Sequence, residues 1–267
     1  MNTIEKILSS AVPQHNPPGK IAVFATGGLD STVLACLART SQPHLIFGAV
    51  QDDSQQAYNT AAIHTCQKIN RILQLPLTIV PISAKDWLKS FFHLAQILEK
   101  PITDTDLPAA ALLFQKTQSL GLNTALSGMG SDNIFNLSKK QLTQFMRSEG
   151  NPGVKIHAEI AALYGITFLC PFLRKPMLDY ALSTPLKARQ GKKDLLDIFN
   201  SHPELLRLMR TRTPAHSITP PSFLLPLKTL IKKKSAASNR SAFFTHAADL
   251  AWQHYHPSSL LVHPQGA

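Results

Sequence analysis

The sequence predicts an α/β fold: a parallel, twisted sheet with helices on both faces, followed by a helical C-terminal part. Short apolar, partly β-branched runs recur at Ile21–Thr26, Leu45–Val50, Leu77–Ile82 and Thr124–Ser127. Stretches with helical periodicity alternate with them, the order expected of a parallel sheet. From about residue 137 the pattern turns helical, and from about Pro214 the tail mixes Pro, Ser, Thr and His with a basic patch.

The elements follow in order. Ile21-Ala-Val-Phe-Ala-Thr26 reads as a strand, Gly27-Gly28 as a tight turn, and Asp30–Ala38 as a helix with Asp30 and Ser31 near its start. A second strand at Leu45–Val50 precedes a helix from about Gln55 to Leu73, and Leu77–Ile82 is a third strand. Ala84–Glu99 is amphipathic and carries Trp87, Leu88, Phe91, Leu94 and Ala95. Pro108–Leu120 is a further helix, and Thr124–Ser127 a fourth strand. Helices are then expected at Leu137–Ser148, Val154–Tyr164, Pro176–Leu182 and Lys192–Asn200, and in the tail at Ala242–Tyr255. Phe91, Phe92, Phe114, Phe168 and Phe172 read as core rather than as a stacking platform.

At 267 residues the chain has room for a substantial core. Its 44% hydrophobic and 16% charged residues belong to a folded protein. No apolar run approaches the roughly 18–20 residues that span a bilayer, and the N-terminus has no secretory pattern. Cys36, Cys66 and Cys170 are widely spaced, with no C-x-x-C pair. That argues against a disulfide framework or a zinc ribbon, and suits a reducing cytoplasm, the expected location. The formal net charge is +11, with basic residues dense in the last third, including Lys228 and Lys232 to Lys234. Such a surface suits an acidic partner protein, a polyphosphate substrate or a nucleic acid; nucleic acid is the less favoured.

Two segments carry chemistry. Thr26-Gly27-Gly28-Leu29-Asp30-Ser31 joins a strand to a helix. Glycines allow the turn, helix N–H groups face an anion, and Thr26 and Ser31 offer hydroxyls. Asp30 would repel phosphate unless Mg²⁺ lay between them. The plainer reading is a β-α turn with an Asp/Ser cap. The segment lacks the G-K-[ST] of a Walker A loop. It resembles the S-G-G-x-D-S signature of the PP-loop ATP pyrophosphatases, with Thr26 in place of the first Ser.

The second segment, Leu126-Ser127-Gly128-Met129-Gly130-Ser131-Asp132-Asn133-Ile134-Phe135, again follows a strand. It resembles the L-S-G-x-G-S-D-E-L-F stretch of asparagine synthetases. Lys100–Pro108 looks like the loop before it in that family. Tyr164-Gly165 through Pro171-Phe172-Leu173 is similar to W-G-x-E-x-R-x-P-F-L-D. Lys193 with Leu195 and Leu196 is similar to E-K-x-x-L-R, and Arg210-Thr-Arg212-Thr-Pro214 to R-x-K-x-P. The ordered blocks span roughly residues 5 to 215, leaving 216–267 as a basic, partly helical extension; the α/β core would run to about 136. The chain begins where the family's synthetase domain begins, so the glutamine-hydrolysing domain is expected to be absent.

The resemblance implies an ATP-dependent ligase. A carboxylate would be adenylated with release of pyrophosphate, and an amine would then take the acyl group, with ATP and Mg²⁺ required. Its substrates would be a small-molecule or peptide carboxylate and an amine, and a separate subunit would have to supply any ammonia. Carried onto this sequence, Asp30 and Asp132 hold the metal, and Thr26, Gly27, Gly28, Leu29, Asp30 and Ser31 hold pyrophosphate. Ser127, Gly128, Met129 and Gly130 line the nucleotide. Lys193 stabilises developing charge, with Lys192 the alternate if the register shifts by one. Gly48–Val50 gives backbone contacts to adenine or is an ordinary buried strand end.

Met129 stands where asparagine synthetases carry Glu and β-lactam-forming relatives carry Tyr, and it does not ionise. Asn133 and Arg174 replace two family acids. The departures point away from asparagine synthesis itself. Glu159 is either the missing base or a surface glutamate, and His157 a structural neighbour. A tRNA-modifying PP-loop enzyme and a non-catalytic nucleotide-binding subunit are the two alternative functions.

Overall fold

A computed structural model describes residues 2–13, 20–102, 104–147, 152–211, 220, 222–224, 227 and 240–255. Its sheet has β1 (Ile21–Phe24) at the centre. β1 pairs in parallel with β2 (His44–Val50) on one side and β4 (Thr124–Leu126) on the other, and β4 pairs with β5 (Thr167–Leu169). β3 (Leu77–Ile82) lies outside β2, so the order is β3-β2-β1-β4-β5. The chain therefore reverses its direction of travel across the sheet between β1 and β4. That is where open parallel sheets bind ligands, beyond the carboxyl ends of the strands.

The chain divides into two compact units. The first comprises residues 1–49, 57–80 and 113–216; the second comprises 50–56, 81–112 and 217–267.

In the first unit the strands are apolar on both faces. Ile21, Val23 and Ala25 join Leu45 and Phe47 and the helix α2 (Leu29–Leu37), with α1 (Thr3–Ala11) and α3 (Gln56–Leu73) in the same core. Phe24 points the other way. Its ring lies 5.3 Å from Phe114 of α5 (Leu107–Ser119) and 6.4 Å from Phe168 of β5. Alternation along one strand thus feeds two cores, which is why these strands read as unbroken hydrophobic runs.

The helical part that follows holds α6 (Ser131–Asn136), α7 (Lys139–Arg147), α8 (Pro152–Leu163), α9 (Lys175–Ser183), α10 (Leu186–Arg189), α11 (Lys193–Leu196) and α12 (Pro203–Thr211). α6 is short and ends inside the protein, so its last carbonyls need donors. Arg189, 1% exposed, supplies them. Its guanidinium donates to the Ile134 carbonyl and, at 2.5 Å, to the Leu137 carbonyl, while Nε donates to Thr184 at 3.2 Å. Burial lowers the pKa of this group.

In the second unit, Trp87 of α4 (Ala84–Ile97) stacks on Phe91 at 5.7 Å and meets Phe223 and Phe244 at 6.2 Å each. Phe244 belongs to α13 (Arg240–Tyr255), whose Trp252 donates to the Leu98 carbonyl at 2.9 Å. α13 is the tail helix expected from residue 242. Arg212, Pro214, Lys228, Lys232 to Lys234 and residues 256–267 lie outside the described residues.

Several elements differ from expectation. The helix expected from Leu137 starts at Lys139, after the separate α6. The helix expected at Lys192–Asn200 is the four-residue α11 followed by a 3-10 turn at Asp197–Ser201. β5, α1, α10 and α12 were not expected at all. No described helix is long and apolar enough to cross a membrane.

Replacing Arg189 by Met should leave buried carbonyls without donors, at about 1–3 kcal/mol for each. A urea titration should show the loss, whereas Lys187→Met, at an exposed position of the same helix, should change stability by less than about 0.5 kcal/mol.

Candidate functional site

The two loops that leave β1 and β4 lie at the switch point of the sheet. In the first, Gly27 has φ +69°, and a Cβ there would press on the Ala62 carbonyl and Thr65 of α3 at 3.2 Å. Gly28 caps α2 without any side-chain acceptor. Its N–H donates to Thr26 Oγ1 at 3.2 Å; the Thr26 and Ser31 hydroxyls lie 3.3 Å apart. Leu29 is buried in the core and Ser31 is buried beside the turn. The loop is thus internally braced, while the first N–H groups of a nine-residue helix carry no side-chain cap.

In the second loop, Met129 N–H donates to Ser127 Oγ at 3.2 Å. Gly130 has φ +87° and starts α6; a side chain there would overlap that of Leu173. The Pro171–Leu173 block therefore packs onto this turn. Gly128 faces the first loop: its Cβ would lie 2.9 Å from Asp30 Cβ and 3.3 Å from Ser31 N. Only hydrogen at this position lets the two loops touch.

Their contact is polar as well. Ser131 Oγ donates to Asp30 Oδ1 at 2.7 Å. The Lys192 ammonium reaches both oxygens of Asp30, at 3.0 and 2.9 Å, and Asp132 Oδ1 at 2.9 Å. It also lies 6.0 Å from the centre of the Phe135 ring. The Asp30 and Lys192 side chains are 25% and 16% exposed, and Asp132 is 71% exposed. The Asp30–Lys192 pair is thus shielded from screening in a way the Asp132 arm is not.

Lys192 sits in a left-handed conformation, φ 56°, directly after Gly191 at φ 84°. This double turn leaves Lys193 exposed as the first residue of α11 and carries the preceding lysine to the two carboxylates. The lysine at the cluster is therefore Lys192, the alternate register, and not Lys193. The K-x-x-L spacing fits both, with Leu195 after Lys192 or Leu196 after Lys193. Only the Gly-Lys turn, a place where left-handed backbone is readily formed, could have signalled the choice.

Val50 ends β2 and is buried. Glu159 is half-buried on α8. His157 stacks on Phe168 at 5.7 Å with Nδ1 2.6 Å from the Gly153 carbonyl, a packed structural position. Asn133 begins the body of α6, and Arg174 is exposed ahead of α9. Ser131 joins the cluster, a role the sequence reading did not give it.

A family model for asparagine synthase matches residues 3–263. The chain belongs to the asparagine synthase family. Members are synthetases of the ATP-dependent ligase type, and the family uses ATP, typically with Mg²⁺. No curated protein matches the chain. In this asparagine synthase family chain the match runs well past the sequence blocks that end near residue 215.

The thiols add a chemical constraint. Burial pushes Cys66 and Cys170 up to about 12 and Cys36 to about 11, so all three stay protonated at neutral pH. A protonated, buried thiol is a poor nucleophile. Because unfolding returns each thiol to an ordinary value near 9, stability should decline as pH rises through that value toward 12. At pH 8, iodoacetamide should label the native chain far more slowly than the urea-unfolded chain.

The loop contact is testable separately. Gly128→Ala should destabilise by about 1–3 kcal/mol, because Asp30 and Ser31 must move aside. Gly121→Ala, where φ is +70° but space is open, should cost only about 1–2 kcal/mol of backbone strain. Thermal unfolding of the two variants measures the steric and the conformational cost; a Gly128→Ala variant as stable as wild type would mean that the loops are not held in contact.

Proposed function

We propose that the chain adenylates a carboxylate with ATP and passes the acyl group to an amine. The observation that carries this reading is the convergence of Asp30, Asp132 and Lys192 beside the uncapped start of α2, at the carboxyl ends of β1 and β4. A carboxylate oxygen attacks the α-phosphorus, the bond to the β-phosphate oxygen breaks, and pyrophosphate leaves. The amine then attacks the acyl carbon, AMP leaves, and a proton is lost from nitrogen.

Residues of this chain have roles suited to those steps. The N–H groups of Gly28 to Ser31 and the Thr26 and Ser31 hydroxyls bind the departing pyrophosphate. Lys192 places a cation where charge grows. Asp30 and Asp132 would hold Mg²⁺, which supplies charge neutralisation on the phosphates. Among the described residues no group of three or more His, Cys, Asp or Glu is placed to hold a metal. Two carboxylates fit Mg²⁺ nonetheless, since that ion keeps waters and takes phosphate oxygens as its other ligands.

Met129 lacks the acid or phenol that relatives place in this loop, so the carboxylate substrate is one other than aspartate. Its class is a small molecule or a peptide, and the amine is either on the substrate or supplied by a partner subunit. Glu159 is the candidate base for the amine proton. The protonated thiols weigh against sulfur transfer, and so against the sulfur-transferring tRNA enzymes. The expected compartment is the cytoplasm.

Thermal unfolding with ATP and Mg²⁺ tests the nucleotide site. At about 100 times its dissociation constant, the nucleotide should stabilise the wild type by roughly 2.7 kcal/mol. Asp30→Ala should lose that shift; no shift in either protein would contradict the reading. Once a carboxylate substrate is in hand, Lys192→Ala should lower the rate of pyrophosphate release by on the order of 10²–10³. Lys193→Ala should leave it close to wild type. Glu159→Gln should slow amide formation with an altered pH profile while leaving stabilisation by ATP intact.

A further inference from the structure

The arrangement of Lys192 bears on how a metal reaches this site. Asp30 has both carboxylate oxygens engaged by the ammonium, and Oδ1 also accepts from Ser131. Asp132 Oδ1 accepts from the same ammonium and from Asn136 Nδ2 at 3.3 Å. Three of the four oxygens that would coordinate a divalent cation are therefore already hydrogen-bonded. The ammonium also cancels half of the charge of the pair, and a divalent cation brought in beside it would be repelled at short range.

We infer that the Lys192 ammonium stands in for the divalent cation when no nucleotide is bound, so that Asp30 and Asp132 take up a metal only together with a polyphosphate. The inference rests on the ATP-dependent reading above.

Three features of the chain support the exchange. Backbone turns at Gly191 and Lys192 anchor the base of the side chain, while its four-carbon stem leaves the ammonium free to swing. The α2 N-terminus beside it has no side-chain cap and accepts an anion. A polyphosphate seated there offers the ammonium new oxygen partners and offers the metal the ligands that two carboxylates lack. The Asp132 arm, the more exposed of the two, opens first. Metal and nucleotide then bind with positive coupling, each raising the affinity for the other.

The test uses Mn²⁺, followed by electron paramagnetic resonance, on the full chain without nucleotide. Wild type should bind Mn²⁺ weakly, and Lys192→Gln about tenfold or more tightly. Lys192→Arg, which keeps a cation, and Lys193→Gln, at the exposed neighbour, should behave as wild type. With the α,β-methylene analogue of ATP present, whose bond between the α- and β-phosphates is not cleaved, wild type should hold Mn²⁺ on the protein. Tight Mn²⁺ binding by nucleotide-free wild type overturns the inference whether or not any variant folds. So does equal Mn²⁺ affinity in wild type and Lys192→Gln. If the analogue places no Mn²⁺ on wild type, the ATP-dependent reading fails, and the inference with it.

Discussion

One ammonium holds two loops together. Lys192 bridges Asp30, at the start of the helix after β1, and Asp132, at the start of the helix after β4. Two carboxylates on touching loops would otherwise repel one another. The surrounding structure serves this arrangement. Gly128 removes the side chain that would hold the loops apart, and Gly130 makes room for Leu173 beneath α6. Three residues before Lys192, Arg189 takes up the carbonyls at the far end of α6. The α10–α11 turn therefore grips α6 at both ends: through Asp132 at its first turn and through Ile134 and Leu137 at its last. A helix of six residues has little stability of its own, and this grip keeps Asp132 in place.

The sequence made some of this legible and hid the rest for physical reasons. β1, β2 and β3 and the helices between them follow from unbroken apolar runs and helical periodicity. The switch-point geometry follows from their parallel order. The glycine loops were legible because glycine is chemically conspicuous where backbone must turn or approach closely. β5 was not, because Thr167-Phe168-Leu169 is only three residues long and lies on the sheet edge. Its strand character comes from pairing with β4, a tertiary effect that no local pattern carries. α6 was hidden for a similar reason: it is stabilised by Arg189, 53 residues later in the chain than Asn136. α1 could have been found, since Asn2 and Glu5 form a capping box at its start.

The choice between Lys192 and Lys193 shows the limit most sharply. The two residues are adjacent, chemically identical and embedded in a pattern that fits either. What separates them is one pair of left-handed backbone angles. Roles carried by resemblance are only as precise as the register on which they are carried. The replacements at 129, 133 and 174 differ in kind, because they change chemistry outright. They are the basis for proposing a substrate other than aspartate, while the charged cluster of Asp30, Asp132 and Lys192, proposed to handle phosphate, is formed in this chain.

The most direct measurement is a crystal structure of the chain with a non-hydrolysable ATP analogue and Mg²⁺. The account predicts the β- and γ-phosphates on the N–H groups of Gly28 to Ser31, the metal between Asp30 and Asp132, and the Lys192 amine on phosphate oxygens. Nucleotide bound away from the β1 and β4 loops, or Lys192 still bridging the two carboxylates with nucleotide in place, would contradict it.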